Sequence, residues 1–131
     1  MNNRLVCIVD DNDDIREIYR MKFHIEGFET VTAKNGQEAL EVMRTAHPAV
    51  VLLDVQMPVM DGLEVLNRMK NDPELKHLPV VILSNIDSED VFQTVGDLGA
   101  ADYYLVKAMV DPQKVVDVTI EALAGGANAN S

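Results

Sequence analysis

A chain of 131 residues has room for one domain with a proper core, and 47% apolar and 25% charged residues place it among ordered globular folds. Its 11 Lys and Arg against 22 Asp and Glu leave a net charge of −11, a field that opposes direct nucleic-acid binding and favours cations or a basic partner face. No apolar run reaches the roughly 18 residues of a membrane span, and a single cysteine, Cys7, rules out an internal disulfide.

The start of the chain sets Asn2, Asn3 and Arg4 before five apolar residues that end at Asp10 and Asp11, too short and too quickly charged for a signal peptide. The reducing cytoplasm is the expected compartment, with Cys7 a buried, inert thiol. Residues 5–9 form the first predicted strand. Asn12 or Asp13 can cap a helix carrying Ile15, Ile18, Tyr19 and Lys22, which stops at Gly27. Residues 28–32 read as a weaker second strand. Asn35 and Glu38 have capping-box spacing and open a helix with Ala39, Leu40 and Met43 on one side, ending before Pro48.

The third strand, residues 49–53, is apolar almost throughout, as expected for a parallel sheet covered on both faces. Residues 62–71 form a short helix with Leu63, Leu66 and Met69 inward. The fourth strand covers 78–83, with Pro79 tolerable only at its start. Residues 88–98 have a helical pattern, in which Gly96 costs about 1 kcal/mol relative to Ala and Glu89 and Asp90 suit the first turn. Residues 103–106 make the fifth strand, where Tyr103 and Tyr104 point to opposite faces. Asp111 and Pro112 cap a last helix, with Val115, Val118 and Leu123 among its apolar positions, running to about Ala124. The expected domain is 1–124, with 125–131 a frayed tail or linker stub. Five strand–helix pairs predict an α/β, three-layer, doubly wound fold with a parallel sheet, whose ligands bind beyond the carboxyl ends of the strands.

Those ends carry the chemistry. The first strand leads to Asp10 and Asp11, the third to Asp54, the fourth to Ser84 and the fifth to Lys107. Clustered carboxylates repel unless a cation sits among them, and an all-oxygen set suits a hard ion such as Mg²⁺ or Mn²⁺. A carboxylate can attack phosphorus to give an acyl phosphate, and an ammonium with a metal neutralises the charge that develops. Asp54 is the best nucleophile candidate, because it follows the most buried strand and leads into Val55-Gln56-Met57-Pro58 before Asp61-Gly62. Ser84 can bond an oxygen of the product. His24, His47 and His77 lack metal-binding spacing and read as surface or helix-end residues, and the methionines as packing.

The ordered set Ile8-Val9-Asp10-Asp11, Leu52-Leu53-Asp54 through Asp61-Gly62, Val81-Ile82-Leu83-Ser84 and Tyr104-Leu105-Val106-Lys107 resembles the response-regulator receiver domain, the CheY-like superfamily of two-component signalling. The resemblance runs from about Arg4 to Ala124 and implies a flavodoxin-like (βα)5 fold with strand order 2-1-3-4-5. It implies that Asp54 receives phosphoryl from a sensor histidine kinase or phosphotransfer protein, in a self-catalysed transfer followed by slow autodephosphorylation rather than classical turnover. By the same resemblance, Asp11 binds the metal directly, Asp10 largely through water, and the Gln56 backbone carbonyl and Asp54 complete the protein ligands. Lys107 ion-pairs with the phosphate, while Ser84 and Tyr104 act as the switch. Together they alter the face of the fourth helix, fifth strand and fifth helix, where a downstream protein target or a second copy docks.

The sequence departs from the family pattern at Ala108, which replaces the usual proline after the lysine, and at Asn85, where a small residue is common. A cis bond before Ala costs roughly 2.5–4 kcal/mol, so a trans bond is expected there. Gln56 and Ile86 stand where relatives tune dephosphorylation, and residues 99–104 read as one residue longer than usual. Three rival readings have specific marks. An aspartyl phosphatase wants an acid two residues after the nucleophile, where Gln56 stands, and a dinucleotide site wants a Gly-rich loop that the Asp-Asp-Asn-Asp run does not supply. A phosphorylation-independent, degenerate receiver would keep the fold as an interaction module and shed the site residues, which are all present.

Overall fold

The strand-forming runs pair into one parallel sheet in the order β2-β1-β3-β4-β5. The computed structural model describes residues 4–84, 93, 103–106 and 110–124. In it, β1 is Leu5–Val9, β2 Glu29–Ala33, β3 Val50–Leu53, β4 Val80–Ser84 and β5 Tyr103–Val106. Helices α1 (Asp13–Ile25), α2 (Gly36–Ala46) and α3 (Gly62–Lys70) follow the first three strands, and a C-terminal helix covers Pro112–Leu123. The helix expected over 88–98 lies outside the described residues except for Gln93, which is helical and exposed. Asn85, Ile86, Glu89, Asp90, Gly96, Lys107, Ala108, residues 99–102 and the expected tail 125–131 also lie outside them.

Each helix start is fixed by a side chain that accepts an otherwise unpaired backbone N–H. Asn12 accepts from Ile15, Asn35 from Glu38, Asp61 from Glu64 and Asp111 from Lys114. Between Asn12 and Asp13, therefore, it is Asn12 that caps α1.

Alternation along the strands divides the core into two layers. Cys7, Val9, Val51, Leu53, Val80 and Ile82 face α2 and α3, meeting Leu40, Met43, Leu66 and Met69. Val6, Ile8, Val50, Leu52, Val81 and Leu83 face α1 and the C-terminal helix, meeting Tyr19, Phe23, Val115 and Val118. Tyr104 packs with the first layer and Tyr103 with the second, so the adjacent tyrosines do point to opposite faces. Because both faces are covered, β1 and β3, and β4 up to Leu83, are apolar throughout rather than alternating.

Local boundaries shift by a residue or two. β2 begins at Glu29 rather than Phe28, because Phe28 closes the preceding turn: its ring meets Phe23 edge-on at 5.5 Å and lies 4.1 Å beneath the Arg4 guanidinium. On α1 the buried residues are Tyr19 and Phe23, while Ile18 is 49% exposed. β4 starts at Val80, after Pro79, and ends at Ser84.

Candidate functional site

Strand register brings the polar strand ends to one edge. Val9 is level with Ala33 on one side and Leu53 on the other, and Leu53 with Ile82. Asp10 and Asp54 are thus the next residues on adjacent strands. The ladder continues into both: the Asp10 N–H donates to the Ala33 carbonyl at 3.1 Å, and the Asp54 N–H to the Val9 carbonyl at 2.9 Å. Asp10 and Asp54 are almost fully buried, whereas Asp11 is exposed.

The loop after β1 is held from several sides. The Asn12 N–H donates to Asp10 Oδ1 at 3.0 Å, and the Arg16 guanidinium donates to the Asp10 backbone carbonyl at 2.7 Å while pairing with the Asp13 carboxylate. Tyr19, one turn further along α1, has its phenol pushed up by burial, with the nearby carboxylates of Asp10 and Asp111 adding to the effect.

The loop after β3 is as closely fixed. The Gln56 N–H donates to Asp54 Oδ1 at 3.2 Å, and the Gly62 N–H to the Val55 carbonyl at 2.8 Å. Gly62 and Gly36 are there because a side chain would not fit. A Cβ on Gly62 would stand 2.3 Å from the Asp54 carbonyl oxygen, and one on Gly36 would stand 2.4 Å from that of Met60. The Gly36 N–H donates to this Met60 carbonyl at 3.1 Å, tying the start of α2 to the loop that leaves Asp54. Between them Val59, 79% exposed, turns with φ of 70°, a left-handed conformation that β-branched residues rarely adopt.

Asp10, Asp11 and Asp54 can each offer a carboxylate oxygen within 4.8 Å of the others. Oxygens sharing one Mg²⁺ at about 2.1 Å stand roughly 3–4 Å apart, so a small contraction would close the set around a hard ion. The donor set fits Mg²⁺ or Mn²⁺, and the residues that would hold the ion are these three carboxylates. Ser84 closes β4, fully buried, opposite Val106 in the register; Ile82, two residues earlier, is opposite Tyr104. Tyr104 is half-buried on the α2–α3 side. The structure therefore gathers Asp10, Asp11 and Asp54 and puts Ser84 and Tyr104 on neighbouring strands, while Lys107 lies beyond the described residues.

Two contributors escaped the sequence reading. Arg16 left a weak signal, a cation three residues after Asp13 in the first turn of the helix that follows the acidic pair. Gly36 left only its place as the first residue of α2, where a better helix former would be expected if space allowed.

Comparison with known proteins accords with this edge. The family model described as Response regulator receiver domain matches residues 6–120. The chain is 33% identical to the polar-differentiation response regulator DivK of Brucella ovis, over 93% of this chain and 97% of that protein. The chemotaxis protein CheY4 of Vibrio cholerae superposes with a TM-score of 0.84 at 29% identity, covering 92% of this chain and 99% of that one. The receiver domain of Francisella response regulator 1452 gives 0.83 at 27% identity, over 94% and 98%.

Proposed function

The chain belongs to the response regulator receiver domain family, and from that premise we propose that it is a phosphorylation-dependent switch with Asp54 as phosphoacceptor. The observation that carries this is the meeting of a nearly buried Asp54 with Asp10 and Asp11 at one strand edge. The donor is a phosphohistidine on a sensor histidine kinase or phosphotransfer protein. An Asp54 carboxylate oxygen attacks phosphorus, an O–P bond forms, and the N–P bond breaks. Its electron pair leaves with the imidazole, which takes up a proton.

The other residues serve that step. A bound Mg²⁺ or Mn²⁺ supplies positive charge against the phosphoryl oxygens. Asp11, Asp54 and the Gln56 carbonyl would hold it directly, and Asp10 largely through water. The Gln56 N–H, on Asp54 Oδ1, orients the carboxylate. Lys107 pairs with the phosphate. Ser84 bonds one of its oxygens, and Tyr104, on the adjacent strand, follows it inward. The consequence is a population shift in the face made by β5, the C-terminal helix and the segment between β4 and β5. A downstream protein or a second phosphorylated copy docks there, in the cytoplasm, with 1–124 as the receiver and 125–131 as a tail.

Intact-mass measurement after incubation with acetyl phosphate and Mg²⁺, beside Asp54→Ala, tests the proposal. A gain of about 80 Da, the mass of one PO₃H group in an acyl phosphate, is expected in the parent and is absent in the variant or without the cation. No gain in the folded parent, even with a competent phosphotransfer protein, would favour the phosphorylation-independent interaction module.

A further inference from the structure

We infer that Arg16 is a positioning residue for the cation site, setting its affinity by holding the Asp10–Asp11 peptide in place before the ion arrives. This rests on the reading of Asp10, Asp11 and Asp54 as that site. Metal ligands depend on partners outside the coordination shell that hold them in orientation, and losing one costs about 10–100-fold in affinity. Asp10 has such partners on three of its groups. Its N–H is held by the Ala33 carbonyl, its Oδ1 by the Asn12 N–H, and its carbonyl by Arg16 at 2.7 Å. The carbonyl contact fixes the plane of the peptide that leads into Asp11, and so the direction in which the exposed Asp11 carboxylate leaves the backbone.

The rest of the Arg16 environment points the same way. Its side chain is only 17% exposed, although it is a cation beginning a surface helix. The partner on its other side, Asp13, is 88% exposed, and such ion pairs contribute little on their own. The planar guanidinium has the fork needed to satisfy a carbonyl and a carboxylate at once, which an ammonium cannot reproduce. Arg16 itself sits on the first turn of α1, with its own N–H bonded to the Asn12 carbonyl at 3.0 Å, so the fork is anchored to a regular element.

The opposing effect makes the sign of the result decisive. Arg16 is a positive charge near a cation site, and if it were only a surface charge its removal would tighten cation binding by relieving repulsion. A positioning role predicts the reverse.

The test is titration calorimetry with Mg²⁺ on the full chain at low salt and at 0.15 M salt, with Mn²⁺ binding followed by electron paramagnetic resonance as a second readout. Thermal unfolding of each cation-free variant establishes that it is folded. Arg16→Ala is expected to weaken binding about 10-fold. Arg16→Lys keeps the charge but loses the fork and is expected to fall between parent and alanine variant, whereas a pure charge effect leaves it at the parent value. Asp13→Ala, which removes only the exposed pair, should change affinity less than about twofold. Equal or tighter binding by Arg16→Ala, or parent affinity in Arg16→Lys should the alanine variant not fold, overturns the assignment. A parent that binds neither ion removes the cation site itself, and the role of Arg16 with it.

Discussion

Gly62 packs against Asp54 so closely that a methyl group in its place would stand 2.3 Å from the Asp54 carbonyl oxygen and 2.8 Å from the Val55 Cα. Both obstacles are backbone, so the loop itself must move to admit a side chain. Gly62→Ala is therefore expected to cost about 1–3 kcal/mol, as overpacking does elsewhere. It should also slow labelling by acetyl phosphate at least about tenfold, since displacing a reacting group by about 1 Å costs around 100-fold. Urea unfolding and the rate of mass gain check the two effects. A variant matching the parent in both would show that the contact constrains nothing.

Val59 is the converse case, a residue whose replacement should help. Its φ of 70° crowds a β-branched side chain, and at 79% exposure it has little packing to lose. Left-handed backbone costs an L-residue roughly 1–2 kcal/mol, less for asparagine. Val59→Asn is expected to raise stability by about 1 kcal/mol, seen as a higher urea midpoint with an unchanged slope. An unchanged or lower midpoint would mean that the turn is not strained.

The acidic edge was legible because a strand's end can be read from where an apolar run stops, and parallel pairing then stacks those ends together. Asp10, Asp11 and Asp54 emerged this way, and Ser84 followed as the last residue of β4. What could not be read depends on proximity between distant segments. Nothing local to Gly36 reveals that Met60 will lie against it, and nothing near Arg16 shows that its fork will turn back to the Asp10 carbonyl. The buried face of α1 was open for another reason. Helix α1 has apolar residues on more than one face, with Ile18, Met21 and Ile25 exposed, so periodicity alone does not choose which face enters the core. Phe23 and Phe28 decide it through their edge-on contact.

Cys7 is fully buried in the middle of β1, and burial pushes its thiol from an ordinary 9.0 up to about 12. It should stay unreactive toward a thiol reagent at pH 8 and become fully reactive in urea. The same shift links stability to pH. The fold holds the proton more tightly than the unfolded chain, so this contribution is complete below about pH 9 and is lost as pH rises toward 12. Relative to Cys7→Ala, the parent should lose about 2 kcal/mol between pH 7.5 and 10.5. Parallel stability curves for the two proteins would show that Cys7 titrates alike in both states.

The carboxylate cluster carries a cost that a cation should relieve. With oxygens of Asp10, Asp11 and Asp54 within 4.8 Å of one another, each like-charged pair repels by roughly 1 kcal/mol even at the dielectric of water. Asp11 is the exposed member, and its carboxylate caps none of the described helices, so neutralising it removes repulsion with little other loss. Without divalent ions, Asp11→Asn is expected to be more stable by up to about 2 kcal/mol at low salt, seen as a higher melting temperature, and by less at 0.15 M, where the Debye length falls to about 8 Å. The order should reverse when Mg²⁺ is added. The parent gains about 2.7 kcal/mol at an ion concentration 100 times its Kd, while the variant, missing a ligand, gains much less. This crossing of the two melting curves separates a cation site from a mere acidic patch. In a patch the variant stays ahead at every Mg²⁺ concentration, because screening narrows the gap between the proteins but cannot invert it.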